Sequence, residues 1–155
     1  MAQKRQAHDP RGVRTLEIYD AAIDAAVYDH LNAWPEKPCP IEMELPEDAP
    51  ARLAMAMQPL SGAIELRRYI DGGFIGAWPF AVLVRFATRD DEKRLNAAGI
   101  LHSLGAWLRS NSMPPIGEGR TPIAYEMTAL PSCALRYEDG TADYQAVFRL
   151  VYRQK

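Results

Sequence analysis

Between Trp78 and Phe86 every second residue is large and apolar: Trp78, Phe80, Val82, Val84 and Phe86. Successive side chains of a strand point to opposite sides, so this alternation predicts a β-strand with one buried face. Upstream, Ala63 to Ile70 sets Ile64, Leu66 and Ile70 against Glu65, Arg67 and Tyr69, again at period two. Asp71-Gly72-Gly73, with Gly76 beyond, lies between the two runs and has the composition of a turn that needs positive φ. The hairpin from Arg68 to Phe86 is therefore predicted as the centre of a sheet.

Elsewhere the period changes. Leu16, Tyr19, Ile23, Ala26, Val27 and Leu31 recur on one side of a helix expected from about Thr15, as N-cap, to Asn32, and Trp34-Pro35 ends it. Thr88-Arg89-Asp90-Asp91 has the pattern of a helix start, and Ala97, Leu101, Leu104 and Leu108, widened by Ile100 and Trp107, give the following helix to about Arg109 a broad apolar stripe. Gly99 and Gly105 inside that helix imply close packing on the sheet. Leu53, Met55 and Met57 alternate with Ala54 and Ala56, a short strand whose methionines read as gap-filling core. Strands are also expected at Ile123–Leu130, Cys133–Tyr137 and Asp143–Arg153, the last two joined by the turn Glu138-Asp139-Gly140-Thr141. Pro35 to Pro50 reads as a rigid acidic connection, and Ser110 to Pro122 as a long loop of the kind that is often functional or mobile.

The resulting expectation is an α+β fold: one domain over residues 15–155, with a mostly antiparallel or mixed sheet of about five to six strands and two helices packed on it. Residues 1–14, basic through Lys4, Arg5, Arg11 and Arg14 and almost without apolar content, are expected to form a flexible tail. If both helices cover one face, Leu83, Arg85, Val147, Arg149, Val151 and Arg153 are left on the other. A mixed apolar and basic surface of that kind suits a protein interface. One helix on each face would leave no such surface.

A net charge of −2 argues against a protein that grips nucleic acid over a large basic surface. No apolar run is long enough to span a bilayer, the N-terminus lacks the apolar stretch of a secretory signal, and a chain made and kept in the cytosol is expected. Cys39 and Cys133 lie far apart, in no CxxC pair and at no ligand spacing from His8, His30 or His102, so reduced thiols are expected and zinc is not. There is no phosphate-binding loop, nucleophile elbow or H-x-x-x-H pattern. The acids Asp90, Asp91 and Glu92 are explained by the first turn of a helix, and Asp139 and Asp143 by the hairpin turn they bracket. No catalytic, cofactor-binding or metal residue is assigned.

The run Arg68-Tyr69-Ile70-Asp71-Gly72, then Trp78-Pro79-Phe80, Ala106-Trp107-Leu108 at a helix end, and the closing Asp143-Tyr144-Gln145-Ala146-Val147-Phe148-Arg149-Leu150-Val151-Tyr152 resembles the tail terminator proteins of long-tailed bacteriophages, often labelled minor capsid proteins. The similarity runs in the same element order from the first helix to the last strand. It implies a non-enzymatic structural subunit without cofactor that forms a homo-oligomeric ring, usually a hexamer, on the end of a completed tail tube. Such a ring stops tube polymerisation and presents a surface to the head–tail connector protein, while DNA passes through as cargo. The implied place is the tail or neck of the virion, reached from the host cytoplasm, with no membrane involved. Another head–tail neck or completion protein is the nearest alternative, and a small-molecule-binding α+β domain the alternative from a different class. The expected contact residues lie on the loops Asp71–Ala77 and Ser110–Pro122 and on the amphiphilic sheet face: Asp71, Gly72, Phe74, Ile75, Trp78, Ile116, Arg149, Val151 and Arg153.

Overall fold

The computed structural model describes residues 13–45, 53–61, 64–87, 91–110 and 112–155, with side chains at 22–45, 53–61, 65–86, 95–110 and 112–155. In chain order the elements are α1 (Val13–Asn32), β1 (Ile41–Glu42), β2 (Ala54–Pro59), β3 (Ile64–Arg68), β4 (Phe74–Ala87), α2 (Asp91–Ser110), β5 (Arg120–Arg136) and β6 (Thr141–Gln154). They form one mixed six-stranded sheet in the order β1-β2-β4-β6-β5, with β3 also on β4, and the fold is α+β as expected.

The alternating strand is the middle of that sheet. β4 pairs with β6 along its whole length, from Phe74↔Gln154 to Ala87↔Thr141. Its other flank is shared end to end, β3 taking Phe74–Ala77 and β2 taking Phe80–Arg85. Among the described residues, only the β1–β2 pairing is parallel. The β3–β4 turn has the form its sequence demands: Gly72 sits at φ 92°, its N–H donates to the Tyr69 carbonyl, and the Tyr69 N–H donates to Gly73. The β5–β6 turn repeats the device at Gly140, also at φ 92°, with the Thr141 N–H donating to the Asp139 carboxylate.

Both helices lie on one face. Ile23, Val27 and Leu31 of α1 and Ala97, Leu101, Leu104 and Leu108 of α2 join a single buried cluster with Met55 and Met57 of β2, the even-numbered residues Trp78–Phe86 of β4, and Ala146, Phe148, Leu150 and Tyr152 of β6. In-register pairs such as Trp78↔Leu150, Phe80↔Phe148 and Val82↔Ala146 put these side chains on the same side of the sheet. Gly105 supports the expected close approach, since a Cβ there would lie 2.9 Å from Met127 Cε. Gly99 does not, because it faces open space.

Several expectations need correction. α1 begins at Val13, so Thr15 lies inside the helix and does not cap it. Nothing in Val13-Arg14 resists helical dihedrals. The side chains of Leu16, Tyr19, Asp91 and Glu92 and residues 88–90 of the start pattern lie outside what is described, as does the tail expected over 1–14 apart from Val13 and Arg14. The acidic connection contains a strand, β1, which the Asn32 side chain clamps to the end of α1 by donating to the Ile41 carbonyl and accepting from its N–H at 2.9 and 3.0 Å. The two strands expected on either side of Pro131 are one strand, β5, which absorbs the proline through register shifts, four of them along its pairing with β6. The strand expected over Ala63–Ile70 ends at Arg68: Leu66, at a bulge of this edge strand, is 43% exposed, and Ile70 lies beyond it in the turn and is fully exposed.

Candidate interaction surface

The face of the sheet away from the helices is built from rows of residues paired across strands. At the β3–β4 turn end, Arg67, Ile75, Arg153 and Thr121 form one row, followed by Ala77, Val151 and Ala124, then Pro79, Arg149 and Glu126. Farther along come Gln58, Ala81, Val147 and Ala129, then Ala56, Leu83, Gln145 and Ser132, then Ala54, Arg85, Asp143 and Leu135. Ala56, Ala77 and Ala81 are buried, whereas Ile75, Leu83, Val147 and Val151 are half-buried. Among the described residues no helix packs on this face, so it presents aliphatic carbon flanked by guanidinium groups.

Its charges are organised at both ends. Arg149 Nε lies 2.6 Å from Glu126 Oε1, a pair across β6 and β5 open to solvent. At the turn end, the Tyr69 ring is flanked by two guanidiniums, Arg67 at 5.5 Å and Arg153 at 5.3 Å from its centroid. Arg68 is bonded through two nitrogens to Glu65, which holds its guanidinium pKa above the ordinary value. At the opposite end Arg85 and Asp143 are both buried, with Nε to Oδ1 at 2.7 Å and Nη2 to Oδ2 at 3.0 Å. The Tyr137 hydroxyl donates to Asp143 Oδ2 at 2.7 Å, and that bond raises the phenol pKa. Asp143 thus does more than shape a turn. Sequence reasoning missed this pair, whose only prior trace was two opposite charges at face-matched positions of two strands.

On the helix side, His30 of α1 links three elements. Its Nδ1 lies 3.0 Å from the Tyr125 hydroxyl, and its ring lies 4.9 Å from that of Trp107. Burial pushes the Tyr125 phenol up, so it stays protonated and serves as the donor to a neutral imidazole. Burial also lowers the His30 pKa from 6.5, an effect only partly offset by a backbone hydrogen bond with Ser112. The unfolded chain then binds more protons than the folded one in the window just below pH 6.5, so stability is full above that value and is lost as pH falls through the lowered folded pKa. Melting curves from about pH 8 to about pH 5 should show that loss in the wild type and a flatter profile in His30→Gln.

A groove of about 240 Å³ opens between α2 and β5, lined by His102, Gly105 and Arg109 on the helix and by Tyr125, Glu126, Met127, Leu130 and the deeper Phe148 on the sheet. Among the described residues no group of three or more His, Cys, Asp or Glu side chains gathers as a metal site, no disulfide joins Cys39 to Cys133, and no helix is long and apolar enough to cross a membrane.

Of the nine expected contact residues, Ile75, Arg149, Val151 and Arg153 share the open face, while Asp71 and Gly72 form the exposed turn beside it. Phe74 packs partly against the core, its ring 5.7 Å from Arg68. Trp78 and Ile116 are core residues, 2% and 1% exposed. Trp78 points to the helix side by its own alternation. Ile116 is held in by Arg120, which donates to the Ile116 carbonyl and to Gln154 at 3.0 Å each, so the Ser110–Pro122 loop is tied down at that point.

No protein-family model matches the chain, and no curated protein matches it in sequence. Among solved structures, the fold matches a chain from the virion of a native gene transfer agent particle with a TM-score of 0.63 at 13% identity, over 86% of this chain and 96% of that one.

Proposed function

We propose that this protein is a structural virion subunit that closes into a ring on the end of a phage-type tail tube, ends its polymerisation and supplies the surface for the head connector. The reading is carried by the near end-to-end correspondence of its fold with a chain of a virion particle. The sequence resemblance to tail terminators points the same way, and the one-sided sheet gives a subunit a large surface still to be covered. A heterologous contact that closes on rotation makes a ring, in this family usually a hexamer. The subunit is non-enzymatic: its charged groups are spent on pairs such as Arg85–Asp143 and Arg149–Glu126, which hold strands together. DNA crosses the ring as cargo, and a chain of net charge −2 suits a channel that must not retain it.

The test is to mix the purified protein with tail tubes and image the tube ends. Rings seated there, with growth stopped, are the expected result. Binding at a connector with bare tube ends would favour another neck protein, and no association with either would sink the virion reading. Within the ring, Val151→Glu should weaken self-association about tenfold, because it buries a charge in the aliphatic part of the open face. Arg149→Glu should weaken it similarly, by setting a second carboxylate beside Glu126. The melting temperature should move little for either variant. Unchanged assembly by sedimentation would remove both residues from the contact.

A further inference from the structure

The β3–β4 turn presents an apolar side chain in a way that needs explanation. Ile70 is fully exposed, yet the backbone around it is fixed by the bonds from Tyr69 N–H to Gly73, from Gly72 N–H to Tyr69 and from Gly73 N–H to the Asp71 carboxylate at 2.9 Å. Tyr69 beneath it is clamped between Arg67 and Arg153. A rigid apolar tip loses little entropy on docking, so its contact energy is largely retained. On the far flank of the sheet lies the groove between α2 and β5. Gly105 lays its floor open to Met127 and Phe148, and Arg109 stands at its rim.

We infer that Ile70 of one copy of this chain seats in the α2–β5 groove of the next, with Asp71 beside it meeting Arg109. The occupant is a second copy for three reasons. β3 and β5 lie on opposite flanks of the β4–β6 pair, so each subunit carries the tip on one side and the groove on the other, the arrangement a head-to-tail contact requires. The charges match, since Asp71 follows the knob and Arg109 flanks the hole, and neither has a salt-bridge partner among the described residues. Finally, the tip is continuous with the row Arg67–Ile75–Arg153 of the open face already assigned to self-association. The inference rests on the ring reading and specifies its subunit contact.

Cross-linking tests it. In a Cys39→Ser, Cys133→Ser background, one preparation carries Ile70→Cys and a second carries Leu130→Cys, at the groove rim. The two are mixed at high concentration, oxidised and run on a non-reducing gel. A disulfide needs Cα atoms within about 7 Å, so a mixed dimer is expected here and not when Leu95→Cys, exposed on α2 outside the groove, replaces Leu130→Cys. In parallel, Ile70→Glu in the otherwise native chain should weaken self-association about thirtyfold without lowering the melting temperature. Arg109→Asp alone should weaken it about threefold to fivefold, as should Asp71→Asn, which keeps the acceptor for the Gly73 N–H, and the two together should weaken it no more than either alone. If the native protein assembles while Ile70→Glu leaves assembly intact, or if Leu95→Cys cross-links as well as Leu130→Cys, this docking is wrong and the ring stands on other contacts. If the native protein never self-associates, alone or on tail tubes, the ring reading falls and takes this contact with it.

Discussion

Asp143→Ala should destabilise the protein by about 3 kcal/mol, because it leaves the Arg85 guanidinium buried without its counter-charge. Arg85 and Asp143 face each other across the central β4–β6 pairing, with side chains only 8% and 5% exposed, and both carboxylate oxygens receive a nitrogen of the guanidinium. A guanidinium keeps its proton in proteins, so deprotonation offers the arginine no escape. Tyr137 loses its acceptor in the same step. Against a folded stability of about 5–15 kcal/mol, that loss of about 3 kcal/mol is between about a fifth and about three fifths of the total. Urea unfolding should register this as a lower midpoint at unchanged slope. Arg85→Met combined with Asp143→Leu should recover most of the loss, since breaking a buried pair is far costlier than replacing it with apolar groups of similar volume. If Asp143→Ala alone melts like the wild type, the pair is not supporting this end of the sheet.

Phe80→Ala should be costlier still, about 3–5 kcal/mol. Phe80 is fully buried, stacked on Phe148 at 5.5 Å between centroids, edge-on to Tyr125 at 6.1 Å and 5.3 Å from Trp78. It stands on the central strand, and the rings it touches belong to β4, β5 and β6. Removing it opens a cavity that three strands would have to move together to fill, and a close-packed interior resists that. The expected fall in melting temperature is about 10 °C or more. Phe80→Leu, which keeps most of the volume, should cost clearly less. Equal losses for the two variants would mean that ring stacking matters here more than filled space.

These two sites also mark how far sequence reasoning reaches. The burial of Phe80 is legible because alternation over Trp78–Phe86 is local and has one physical meaning, a strand with an apolar face. The Arg85–Asp143 pair is not, because it depends on register between residues 58 positions apart, and an aspartate just past a turn looks the same whether it caps backbone or neutralises an arginine. β1 escaped notice because two residues carry no period, and its existence depends on Asn32 reaching across from α1. Alternation in β3 was legible but its burial was not. Period two says which side chains share a face, never whether anything lies against it, and β3 has a single neighbour. The open face followed from the same alternation in β4 and β6 once both helices were found on the other side, and Arg149, Val151 and Arg153 fall on it in the expected order. The groove had no sequence signature except Gly105, whose missing side chain opens its floor.

An open sheet border carries the hazard of pairing with a strand of another chain. The outer border of β5, seventeen residues long, would be a template for fibre growth if it were straight. Pro122 and Pro131, each lacking an amide hydrogen, and the four register shifts break it into short lengths that a foreign strand cannot zip along. The β5 border is therefore a poor template for strand pairing between chains.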